Sequence, residues 1–229
     1  MIEAIFFDFN GVVIDDERLQ MAAYQHVLRG HGIDLTEEQY FAALGMDDRT
    51  FTRVALERAG RLSDELTNAV LEAKKDAHRK MIEEELPFFP GVITFIKATS
   101  RHLSLGLVSM ANTDEIDYVL DRAHLRSYFS VLVNADHVGI CKPAPDCYRE
   151  GLSKLNEIRQ TKRLLPLLPR ECLVIEDSPP GIQSGAAAGM RTLGVTNTVS
   201  EHALRKAGAD VVTKSLADWT LDAVRLVFV

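Results

Sequence analysis

Four short polar stretches in this sequence sit beside apolar runs, and each carries a side chain able to do chemistry. Asp8 and Asn10 follow Ile5-Phe6-Phe7, and Ser109, with Met110 and Asn112 behind it, follows Leu105-Gly106-Leu107-Val108. Lys142 opens the loop Lys142-Pro143-Ala144-Pro145-Asp146, and the acid pair Glu176-Asp177 follows Leu173-Val174-Ile175. A carboxylate can attack phosphorus or hold a hard cation, whereas an ammonium and a hydroxyl meet the charge of a bound anion. Taken singly, each stretch also has a plainer reading. Asn10-Gly11 between two apolar runs is a hairpin signal. Ser109 is also a turn or cap former, Lys142 a solvated surface lysine, and Glu176-Asp177 a loop or helix cap. Their common placement sets them apart, because ligands of open parallel sheets bind at the carboxyl ends of the strands.

The elements that must position these groups follow from the pattern of apolar residues. Residues 4–9 are short and apolar throughout, which suits a strand buried on both faces. From Asp16 to about Glu85 strand-like runs and proline are absent, apolar residues recur at helical spacing, and glycines at 30, 32, 45 and 60 divide the block into about four helices. After Pro87 and Pro90-Gly91 the grammar alternates. Helices are predicted near 92–101, 114–123, 146–155 and 181–188, and strands at 103–109, 131–134, 172–176, 191–195 and 210–212. Repeating βα units predict an α/β fold, a doubly wound and mainly parallel sheet with helices on both faces. The simplest organisation is a core of residues 1–15 and 87–229 with 16–86 inserted as a helical cap.

Bulk properties narrow the function. With 33 acidic against 26 basic residues and a net charge of −7, the chain has no electrostatic footprint for nucleic acid or an anionic membrane. Small-molecule chemistry is the expectation, in a monomer or weak dimer. No apolar run approaches the ~20 residues of a membrane span, and the first residues lack the basic and small-residue features of a leader, so a cytoplasmic location is expected. Three cysteines, Cys141, Cys147 and Cys172, form no disulfide framework and read as reduced.

In all four stretches and in their order, the sequence resembles the haloacid dehalogenase superfamily, most closely its β-phosphoglucomutase-like branch of small-molecule phosphatases and mutases. The motifs are Asp8-Phe-Asn-Gly-Val-Val, the strand ending in Ser109, Lys142-Pro-Ala-Pro-Asp and Ile175-Glu-Asp-Ser-Pro-Pro-Gly-Ile. The resemblance implies a hydrolase for the phosphate monoester of a small metabolite, with Asp8 as nucleophile and an aspartyl phosphate as intermediate. It assigns Mg²⁺ to Asp8, the backbone carbonyl of Asn10, Asp177 and nearby Glu176. Lys142, Ser109, Gly11, Met110 and Asn112 would meet the phosphate. In the cap, Gly45 and Arg49 fall where sugar-phosphate members carry a Gly and an Arg facing the site, with a spacing one residue longer than in the mutases.

One departure stands out. The residue two beyond the nucleophile is usually an Asp that protonates the leaving oxygen and then deprotonates water; here it is Asn10, and an amide does neither. General acid–base help is worth about 10²–10⁴ in rate. Three readings of Asn10 are open: a natural enzyme with another acid or a labile substrate, an engineered Asp-to-Asn variant, or a protein that binds a phosphorylated ligand without turnover. The first is favoured because every other catalytic position is intact. Gln20, where the mutases carry a His, weighs against a phosphotransferase.

Overall fold

The computed structural model describes residues 1–228 and forms one six-stranded, wholly parallel sheet. The chain opens with β1 (Ala4–Phe7), then runs through four successive helices, α1 (Glu17–Gly30), α2 (Glu37–Phe41), α3 (Asp48–Arg58) and α4 (Asp64–Met81). There follow α5 (Val92–Thr99), β2 (Ser104–Val108), α6 (Thr113–Arg122), β3 (Val131–Val133) and α7 (Asp146–Thr161). The last third alternates as β4 (Cys172–Glu176), α8 (Pro179–Ala187), β5 (Arg191–Val195), α9 (Glu201–Lys206), β6 (Val211–Thr213) and α10 (Leu221–Val227).

The strand order is β3-β2-β1-β4-β5-β6, so β1 lies inside the sheet between β2 and β4. Every residue of β1 is buried, because helices cover both faces. Alternate side chains of the strand feed different layers. Ile5 and Phe7 join a cluster in which Phe7 meets Phe95 and Phe129 edge-on, whereas Ala4 and Phe6 face Tyr148 and Leu152 across the sheet. Phe7 is level with Leu107 on one side and Ile175 on the other. The next residues along all three strands therefore emerge side by side at the carboxyl edge.

The apolar run around β1 does not become a hairpin. Beyond Phe7 the chain turns at Gly11, whose φ of 76° favours glycine, and the Val13 and Ile14 amides donate back to Phe9 O. Val12, Val13 and Ile14 are buried in the same layer as Phe7, and the chain passes into α1.

Helices α1 to α4 contribute no strand and pack among themselves around Tyr24, Leu28, Phe51, Leu56 and Val70. Their two connections to the sheet region run together. Ile14 bridges Phe88 antiparallel, and the Asp15 amide donates to Pro87 O at 2.6 Å. Among the described residues no helix is long and apolar enough to cross a membrane.

Candidate active site

Three parallel strands deliver the site. Asp8 follows β1, Ser109 follows β2, Glu176 ends β4, and Asp177 is the next residue. Lys142, from the loop before α7, reaches into this row with its ammonium 2.9 Å from Asp8 Oδ1 and 2.7 Å from Glu176 Oε1, and donates to Val108 O at 3.3 Å. The lysine is 5% exposed, so these are buried ion pairs.

Glu176 is wholly buried and accepts from three donors. Its Oε1 also accepts from the Tyr148 hydroxyl at 2.6 Å, and its Oε2 accepts from Ser178 at 3.2 Å. A methyl group at Gly181 would lie 1.9 Å from the Glu176 carboxyl carbon, so glycine is what lets α8 start against this side chain. Gly11 plays the matching part for Asp177: a methyl there would sit 2.0 Å from Asp177 Oδ2.

The electrostatics follow from crowding. Burial, then the charge of Glu176, push Asp8 up to about 7 in spite of Lys142. Burial, then the charges of Glu176 and Asp8, push Asp177 well above the carboxylate range. Burial works against the Lys142 ammonium, but Asp8 and Glu176 more than offset it and hold its pKa above the usual lysine value. Asp8, Glu176 and Asp177 each present an oxygen within 4.8 Å of the others. Three carboxylates, one ammonium and no soft donor form a set suited to a hard divalent cation. Asp8 and Asp177 are the freer two of the three, because Glu176 already accepts from Lys142, Tyr148 and Ser178.

The other anticipated residues divide. Met110 and Gly45 line the pocket above Asp8, and Ser109 lines it with a hydroxyl oxygen that also accepts from the Ala111 amide at 3.1 Å. Asn112 instead caps α6, accepting from the Glu115 amide at 3.0 Å, and lines an adjoining groove. Arg49 requires a correction. Its guanidinium leaves the pocket and donates to Asn68 Oδ1 at 2.9 Å, while its neighbour Asp48 takes the pocket wall. Consecutive helical residues project about 100° apart, which turns Arg49 toward the adjoining groove that Asp48 also borders.

The wall contributed by the helices was largely missed from the sequence. Lys74, on α4, bonds Asp48 at 2.9 Å and approaches Glu115 at 3.6 Å. Tyr24 donates to Asp48 Oδ1 at 2.6 Å, and Tyr40 donates to Glu17 Oε2 at 2.9 Å. Burial, then the charge of Asp16, push Glu17 up to about 8. Behind this wall Asn10 donates to Asp16 and reaches Glu115, Gln20 donates to the same two carboxylates, and His78 Nε2 lies 3.0 Å from Asp16 Oδ2. A signal for this cluster was present. Lys74 and His78 continue the four-residue spacing of buried Val70, which places both on the inward face of α4.

A family model for haloacid dehalogenase-like hydrolases matches residues 2–189. The phosphorylated carbohydrates phosphatase of Thermotoga maritima is 31% identical over 221 residues, covering 93% of this chain and 94% of that protein. Fructose-1-phosphate phosphatase YqaB of Escherichia coli is 25% identical, covering 83% of this chain and 95% of its own length. In fold, the chain is similar to the crystal structure of β-phosphoglucomutase from Clostridium difficile, with a TM-score of 0.85, 23% identity, and coverage of 100% of this chain and 97% of that one.

Proposed function

The chain belongs to the haloacid dehalogenase-like hydrolase family, and on that premise we propose that it hydrolyses phosphate monoesters of small, sugar-like metabolites through attack by Asp8. The observation that carries this reading is Lys142, buried between Asp8 and Glu176 with Asp177 adjoining, at the carboxyl edge of a parallel sheet. The phosphatase names of relatives that align over most of the chain support the substrate class.

In this reading the carboxylate of Asp8 attacks phosphorus in line, the bond to the leaving oxygen breaks, and water then cleaves the aspartyl phosphate. Mg²⁺, held by Asp8, Asp177 and the Asn10 carbonyl, would supply positive charge to the approach of one anion to another. Lys142 keeps Asp8 oriented and meets a transferring phosphoryl oxygen. The Ser109 hydroxyl donates to another, while its oxygen stays fixed by the Ala111 amide. Helices α1 to α4, acting as a cap, close the far side of the pocket and exclude water. Asn10 neither gives nor takes the leaving-group proton, and its amide is committed to Asp16 and Glu115. Glu17, a pocket-lining acid raised by burial to about 8, is the proton donor of this reading.

The test is Mg²⁺-dependent phosphate release from an aryl phosphate and from hexose phosphates, compared with Asp8→Ala. Release that disappears in the variant supports the enzyme. Tight binding without release, even from the activated aryl ester, supports a second reading that the engaged Asn10 amide favours: a protein that binds a phosphorylated ligand and does not turn it over.

A further inference from the structure

The pocket wall facing Asp8 is rich in hydrogen-bond acceptors, and its donors are already in use. Glu17, Asp48 and Glu115 line it, and Lys74 is the cation on this side, 2% exposed in its side chain and held between Asp48 and Glu115. The Tyr24 and Tyr40 hydroxyls point their protons at Asp48 and Glu17. The Gln20 amide donates to Asp16 and Glu115, which leaves Gln20 Oε1, on the pocket lining, as a buried acceptor with no partner among the described residues.

The groove that shares Asp48 and Met110 with this pocket has the same character. It adds Asp47, Glu72, Asp114 and Asp136. Of its two cations, Lys75 is paired with Asp114 and Arg49 donates to Asn68. A second phosphate or a carboxylate held in the pocket would thus meet carboxylates and acceptor oxygens, because Lys74 is held by Asp48 and Glu115, while Arg49, bonded to the neutral Asn68, lies out in the groove. A hydroxyl or an ammonium would supply the donors that Gln20 Oε1 and Asp48 can accept.

Resting on the phosphatase reading above, we propose that the pocket selects phosphate monoesters whose alcohol portion carries no second anionic group and prefers an ammonium-bearing alcohol to a neutral one. Asp48 is the main discriminating residue. It holds Lys74 away from the ligand and places a carboxylate where a second anion would have to lie. The selectivity comes as much from repulsion of the wrong ligand as from attraction of the right one.

The experiment compares four probes with the intact, Mg²⁺-supplied protein: glucosamine 6-phosphate, glucose 6-phosphate, 6-phosphogluconate and glucose 1,6-bisphosphate. The expected order of kcat/KM follows that sequence, with both anionic esters at least about tenfold below glucose 6-phosphate. Asp48→Asn, checked for folding by circular dichroism, removes the nearer of the two carboxylates that hold Lys74, leaves Glu115 at 3.6 Å, and should narrow that gap. If that variant does not fold, the wild-type ranking decides by itself. Turnover of either anionic ester equal to that of glucose 6-phosphate, or a glucosamine ester poorer than the glucose ester, would overturn the proposal while leaving the phosphatase reading intact. Absence of phosphate release from all four would instead count against that reading. Calorimetric affinities of the same four compounds would then decide the charge preference, with tight binding of the bisphosphate overturning it.

Discussion

The Asn10 amide donates to both carboxylate oxygens of Asp16, at 3.1 and 2.9 Å, and lies 3.5 Å from Glu115 Oε1. An aspartate in its place would add a third acid to two that are already buried. The amide at position 10 is therefore matched to the acid at position 16.

Asn10→Asp should raise turnover of a hexose phosphate by about 10²–10⁴ if the new carboxyl serves as acid and base. An aryl phosphate, whose leaving group needs no proton, should change far less. The same substitution should lower stability by roughly 1–3 kcal/mol through loss of the amide donor to two buried acids. Kinetics on both esters and urea unfolding read the two effects separately. Intact-mass analysis of the parent protein guards against deamidation at Asn10-Gly11, which would mimic the variant.

Asp177→Asn should abolish Mg²⁺-dependent turnover yet raise the melting temperature of the metal-free protein. Asp177 is held well above its ordinary pKa by burial and by Glu176 and Asp8, so removing its charge relieves crowding. Calorimetry with and without Mg²⁺ checks this. A variant less stable than the parent in chelator would contradict it.

Stability should depend on pH in a definite direction. Folding raises Asp8 from 3.8 to about 7 and Glu17 from 4.5 to about 8. The folded state thus keeps protons that the unfolded chain releases, and these groups make the metal-free protein lose stability as pH rises through that window and level off above it. Melting temperatures between about pH 5 and 8.5 should fall accordingly. Added Mg²⁺ should help most at the alkaline end, where it no longer competes with protons for Asp8.

Lys142→Met leaves Asp8 and Glu176 buried without their shared cation. Removing one partner of such a pair costs roughly 3–5 kcal/mol. Denaturant midpoints should drop accordingly, and phosphate or tungstate should bind more weakly. An unchanged anion affinity would return this lysine to a purely structural part.

The sheet was legible because each strand is a short apolar run stopped by a polar turn, and the run before Asp8 has no polar alternation, as its burial on both faces requires. Asp8, Ser109, Glu176 and Asp177 could be brought together because strand ends converge in a parallel sheet, whereas Lys142, on the loop before α7, joined them through the resemblance of its motif. The helical wall was harder to read. Which face of α3 meets the pocket depends on how that helix packs, and one residue of rotation exchanges Arg49 for Asp48. The partners of Asn10 were invisible for a related reason. Asp16 and Glu115 come from distant parts of the chain, and only folding brings them, with His78 beside them, within 4.8 Å of one another.

The bridge between Ile14 and Phe88, with Asp15 bonded to Pro87, holds the two ends of the intervening segment side by side. A short turn could join those ends without disturbing the register of β1 against β2 and β4. An exchange made at this neck would carry Glu17, Asp48 and Lys74 into a related chain together with Asp16 and His78, so the core that receives them must also supply the Asn10 and Glu115 to which they are bonded.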